Sequence, residues 1–154
     1  MGCQSLRTVN KMTSDVRALS SEPMRYFSHD SDAASDIKCQ RLILRHGFEG
    51  YGRWWRLCEF MAGTKGHTIP FQTDEDAVII AQMLGFEGDG ALDACKAYMG
   101  DLLEIGLLEN DGDGTLRNRR MERNSVYFGR QRANGRKGGK SKKRGAASTG
   151  GETE

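Results

Sequence analysis

Twelve lysines and arginines crowd residues 117–145 against a single acid, Glu122, whereas residues 1–116 hold 11 cations against 18 acids. The balance is +11 in the short stretch and −7 in the long one. Side chains of this type at this density neutralise closely spaced anions, above all the phosphates of nucleic acid. The residues that would do so are Arg117, Arg119, Arg120, Arg123, Arg130, Arg132, Arg136, Lys137, Lys140, Lys142, Lys143 and Arg144. Contacts to phosphate hold and position a protein without reading sequence. Tyr127 and Phe128, set between the arginine groups, are of the type that stacks on unpaired bases or anchors such a stretch to a core. A second basic stripe, Lys38, Arg41 and Arg45, shares one side of a predicted helix and is open either to phosphates or to solvent.

Other chemistries lack their residues. No Ser/His/Asp spacing, H-E-x-x-H, phosphate-binding loop or dinucleotide fingerprint is present, so the sequence predicts a non-enzymatic protein without a cofactor. His29 with Asp30, Asp32 and Asp36 reads as a helix start rather than a metal site, because no second ligand cluster follows. The string Asp111-Gly112-Asp113-Gly114-Thr115 resembles a calcium loop, but one register puts Leu116 where Gly is needed and the other puts Arg120 where Glu is needed. Cys3, Cys39, Cys58 and Cys95 are too far apart for a C-x-x-C motif. Three of them fall among apolar helical neighbours, as small buried hydrophobes in a reducing cytoplasm would. No apolar run reaches the length of a membrane span or secretory segment, so a cytoplasmic protein without a membrane partner is expected.

The elements that must position the basic stretch follow from periodicity and punctuation. Residues 1–23 show no sustained apolar period and read as a disordered extension. Residues 24–121 read as the folded domain, and 122–154 as a basic arm with a disordered tail. Within the domain the pattern predicts helices over 33–46 and 51–62, the latter with Trp54, Leu57, Cys58 and Met61 inward and its tryptophans in the core. A short edge strand follows at Thr68–Phe71, then a helix opened by Thr73 and stopped by Gly85. Asp89 is placed to cap the next helix, in which Ala91, Cys95, Tyr98, Leu102 and Ile105 recur at steps of four and three before Gly106. A strand from Leu107, turn residues Asn110 to Gly114 and a return strand Thr115–Arg119 complete a hairpin. The predicted fold class is therefore mostly α with a small β-hairpin: a winged helix, the helix-turn-helix variant. Its presumptive reading helix exposes Asp93, Asp101 and Glu104, which repel phosphates and suit a protein partner instead.

Four motifs carry a family resemblance: Arg25-Tyr26-Phe27-Ser28-His29-Asp30, the link Gly47 to Gly52, the run Leu102 to Leu108, and Gly135 to Lys140. Together they resemble the N-terminal domain of phage and mobile-element replisome-organiser proteins, a group similar to the DnaD-type winged helix of Gram-positive primosomes. The resemblance implies a replication-initiation protein in a bacterial host cell, working on duplex or single-stranded DNA. It also implies self-association and a helicase-loading or other replication partner. Two readings stand beside it: an interaction adaptor acting through the acidic face, and a transcriptional regulator.

Overall fold

The computed structural model describes residues 13–147, with side-chain surroundings through residue 139. In chain order the elements are α1 (Ser14–Ser20), a 3-10 turn (Ala33–Ser35), α2 (Ile37–Gly63), β1 (Thr68–Pro70), α3 (Asp74–Met83), α4 (Ala91–Ile105), β2 (Glu109–Asn110), β3 (Thr115–Arg117) and α5 (Arg119–Ala147). The architecture is mostly helical, with a three-stranded antiparallel sheet of order β1-β3-β2 in which Ile69 pairs with Leu116 and Glu109 with Arg117. Leu42, Leu57, Met61, Ile69, Tyr98 and Leu102 are fully buried at the centre, drawn from α2, β1 and α4.

Local chemistry sets the middle of the chain. Thr73 opens α3 through a reciprocal capping box with Asp76. Gly106 closes α4 in the left-handed region (φ 82°), and the amides of Leu107 and Leu108 donate to the Leu102 carbonyl at 2.9 and 3.1 Å. Both leucines are thus tied under α4, so the hairpin starts at Glu109 rather than at Leu107. The return strand ends at Arg117 rather than Arg119 because Asn118 caps α5. Its Oδ1 accepts from Met121 N at 2.8 Å while its Nδ2 donates to Leu107 O at 2.7 Å. Asp89 does not cap α4; Gly90, at φ 80°, leads into that helix with no side-chain cap bond. The calcium-like string is a turn closed on Asp111, whose carboxylate accepts from Asp113 N, Thr115 N and the Thr115 hydroxyl.

The two helices predicted over 33–46 and 51–62 are the two arms of α2, separated as expected at Gly47, whose backbone is not helical (φ 66°, ψ −170°). α2 begins at Ile37 because Asp36 is its cap, accepting from Lys38 N and Cys39 N at 2.9 and 3.4 Å. The bend needs glycine twice. Gly47 takes a left-handed conformation, and a Cβ at Gly50 would collide with that of His46. Tyr98 from α4 fills the inside of this elbow: its hydroxyl donates to Gly50 O at 2.7 Å and its ring meets that of His46 edge-on at 5.0 Å. Around it, Asp101 bonds His46 Nε2 at 2.7 Å and Arg45 at 2.6 Å, and Glu104 bonds Arg45 at 2.9 Å.

The ends differ most from the sequence expectation. Residues 14–20, expected within a disordered extension, form α1, whose Leu19 and Ser20 are buried against α5. Residues 1–12 lie outside the described residues. Within itself α1 has no apolar period because it buries only its last turn. Three contacts hold it: Arg132 donates to the carbonyls of Leu19 (2.9 Å), Glu22 (3.2 Å) and Pro23 (2.9 Å); buried His67 bonds Ser20 O at 2.9 Å; and the two helices cross at Gly129. A Cβ there would collide with Ser20 Oγ and come within 2.9 Å of Ser20 N and Val16 O. The basic arm, likewise, is a helix through Ala147 rather than an irregular segment.

Gly129→Ala should therefore lower stability in urea unfolding by about 1–3 kcal/mol, the usual cost of overpacking. Gly135→Ala on the same helix, where a Cβ meets nothing, should be neutral or gain up to about 1 kcal/mol. Equal effects at the two sites would show that α1 is not held at this crossing.

The elbow carries a pH signature. The hydrogen bond to His46, and after it that to Arg45, holds the Asp101 carboxyl below the usual carboxylate range. A carboxyl so lowered stabilises the fold above its unfolded pKa of about 3.9 and loses that contribution as pH falls through the folded value. The gap in urea midpoint between the parent chain and Asp101→Asn should be widest near about pH 6 and close progressively below about pH 4. A gap that does not change with pH would exclude this role.

Candidate nucleic-acid interface

α5 divides its residues between two duties. Met121, Ser125 and Gly129 are buried and Phe128 half-buried, with Tyr26 edge-on to Phe128 at 6.0 Å, so this side docks on the body. The opposite side carries Arg119, Arg123, Tyr127, Arg130, Asn134 and Lys137 at steps of four, four, three, four and three, all exposed. Periodicity in α5 is thus a period of charge, which a search for apolar spacing passes over.

The cations expected to meet phosphate separate accordingly. Arg117 is held between Glu109 (3.7 Å) and Glu122 (3.3 Å), Arg120 pairs with Asp30 at 2.6 Å, and Arg132 is the clamp on α1. These three build the fold. Arg119 pairs with Glu109 at 2.6 Å, but its side chain is 70% exposed, and an exposed pair of this kind is worth at most about 1 kcal/mol. Among the described residues Arg123, Arg130, Arg136 and Lys137 have no carboxylate partner. The side chains of Lys140, Lys142, Lys143 and Arg144 lie outside the described residues, on the continuation of α5.

The smaller stripe on α2 is mostly engaged. Lys38 donates to Gly106 O at 2.8 Å, capping α4, and Arg45 binds Asp101 and Glu104; of the three, Arg41 alone makes neither a side-chain hydrogen bond nor an ion pair among the described residues. The same contacts alter the acidic face. Asp101 and Glu104 are paired with Arg45, which holds the Glu104 carboxyl below its usual range, and only Asp93 stays exposed and unpaired among these three. α2 also exposes two large apolar side chains on either side of Gly47: Leu44 is 86% and Phe48 77% accessible.

A cleft of about 640 Å³ opens between the segment 27–36, both arms of α2 and the first turns of α5. Its wall includes Trp55, which the sequence pattern assigns to the core with Trp54. Neighbouring residues on a helix point about 100° apart, so Trp54 is fully in the core, at 4% exposure, while Trp55 is half-buried and packs against its edge. Trp55 has the ring of exposed His29 stacked on it at 3.6 Å, and its Nε1 is buried with no hydrogen-bond partner. Cys39 and Cys58 also line the cleft, their thiols pushed up by burial and therefore uncharged. A shallower concavity of about 450 Å³ runs along α5 past Val126, Tyr127 and Arg130, and Arg119 and Arg123 border both hollows. Among the described residues no group of three or more His, Cys, Asp or Glu is placed to hold a metal, and no helix is long and apolar enough to cross a membrane.

No curated protein and no solved structure matches the chain. One family model does, over residues 26–117, which takes in the elbow, the sheet and α4 and stops two residues before α5. By that match, which spans more than half of its residues, the chain belongs to the family described as Lin1244/Lin1753-like, N-terminal.

Proposed function

We propose that this is a DNA-binding protein of phage or mobile-element replication initiation, akin to the replisome organisers, and not an enzyme. The observation that carries the reading is the outward face of α5, where unpaired cations recur along one side of a single helix. In a helix, Arg123, Arg130 and Lys137 stand seven residues apart, about 10 Å, so their spacing is fixed before any phosphate arrives. The order of second α2 arm, β1, α3, α4 and hairpin, with β1 paired to the returning strand, supports a winged-helix arrangement of the body. Affinity on this reading comes from α5 and the base of the wing, and sequence discrimination is small because arginine and lysine on phosphate do not read bases.

A second reading, an adaptor for a replication partner, is favoured by Leu44 and Phe48 rather than by the acids of α4. Two large apolar side chains this exposed around one bend suit a protein contact.

Replacing Arg123, Arg130 and Lys137 together by Ala should reduce the slope of log K against log salt on duplex DNA by about 2.7, at about 0.9 for each phosphate no longer neutralised. Arg132→Ala should instead lower stability and leave the slope of the folded protein nearly unchanged. An unaltered slope in the triple variant would refute the role given to α5.

A further inference from the structure

We infer that the cleft beside Trp55 receives one unpaired base of a single-stranded DNA whose backbone follows the outer face of α5. The inference rests on the DNA-binding reading above and names the form of DNA that the site takes.

Three observations converge on it. The first is continuity: Arg119 and Arg123 border both hollows, so a strand held at Arg130 and passing Tyr127 is delivered to the mouth of the cleft. The second is Trp55. A buried donor without a partner costs about 1–3 kcal/mol, and the Nε1 of Trp55 is one of two such side-chain atoms among the described residues. An oxygen of the strand that reaches the edge of the indole, in the plane of its ring and apart from the base stacked on its face, supplies the missing acceptor. The face of Trp55 already accepts a flat ring, that of His29, at 3.6 Å and 14° from parallel. His29 is exposed and makes no side-chain hydrogen bond among the described residues, so a base can take its place. The third is Tyr127, 58% exposed in the middle of the cationic face, with Val126 beside it in the same hollow. An aromatic ring between phosphate-binding cations is how a strand with exposed bases is held, and stacking there is indifferent to base identity.

A duplex cannot use this cleft without losing a base from its stack, whereas a single strand enters at no such cost. Asn124 stands at the rim with its Oδ1 accepting from Ser28 Oγ at 3.0 Å, which leaves its amide hydrogens to donate to the base.

The test compares three ligands of equal length on the full chain: an oligothymidylate of about twelve nucleotides, an abasic oligonucleotide with the same phosphates, and a blunt duplex. The oligothymidylate should bind on the order of tenfold tighter than the abasic strand, with a similar salt slope, and should alone quench tryptophan emission. Trp55→Phe keeps a ring and removes the N–H, and should cost roughly 3–10-fold on the oligothymidylate with duplex affinity unchanged. Tyr127→Ala, an exposed site safe for the fold, should weaken the same ligand on the order of tenfold. Equal binding of base-bearing and abasic strands overturns the base cleft, and so does indifference to both variants. If in that case the Arg123, Arg130 and Lys137 variant still flattens the salt slope, the DNA-binding reading survives; if none of the three ligands binds, both fall together.

Discussion

The bond from the Tyr98 hydroxyl to the Gly50 carbonyl fixes the geometry on which the candidate site depends. A buried phenol needs an acceptor, and the Gly50 carbonyl, just past the break at Gly47, supplies it, so Tyr98 ties α4 to the second arm of α2. Tyr98 is fully buried, and burial raises its phenol so that it stays a donor. The bend has a plain consequence for the cleft. Cys39 and Trp55 would stand about 24 Å apart on a straight helix, yet both line one hollow. Without the elbow the two arms of α2 would share no surface. Arg45, His46, Asp101 and Glu104 brace the same bend, which is why acids that look like a binding face in the sequence act as struts in the fold.

Charge is sorted by depth rather than by position in the chain. The excess acid of the body is not a general repellent, because much of it meets the cations nearest to it. Glu109 takes Arg117 and Arg119, Glu122 takes Arg117, and Asp30 takes Arg120, all at the root of α5. Arg53 does similar work on the other side, donating to the carbonyls of Leu84 and Gly85 that end α3 while lying over the Phe86 ring at 4.0 Å. Past the root, Arg123, Arg130, Arg136 and Lys137 face solvent with no carboxylate partner among the described residues. Positive charge is thus gathered on α5, while the body beneath keeps its net acid.

The parts of the fold that the sequence discloses are those fixed locally. Thr73 with Asp76, Gly106 after an apolar period and the Asp111 turn act within a few residues of themselves, so their spacing betrays them. What stays hidden depends on partners far along the chain. α1 is a helix because of Gly129 and Arg132, the acids Asp101 and Glu104 of α4 are engaged because of Arg45 and His46, and Trp55 sits at the edge of the core because the helix turns between it and Trp54. The basic stretch is legible as chemistry but not as geometry: its count of cations implies a polyanion, whereas the division into clamps and contacts needs the carboxylates that face it.

The crossing of α1 and α5 has a bearing on how the chain reaches this state. Leu19 O and Arg132 are 113 positions apart, and during synthesis at about 5–20 residues per second the first waits roughly 6–20 s for the second. Throughout that interval the nascent α1 is too short to hold helical structure alone. The body from α2 to the hairpin has its partners close at hand and can condense first, with α5 laid across it next. α1, made before its partners on α5, is then the last to settle, and it acts as a latch that closes only on a body already formed.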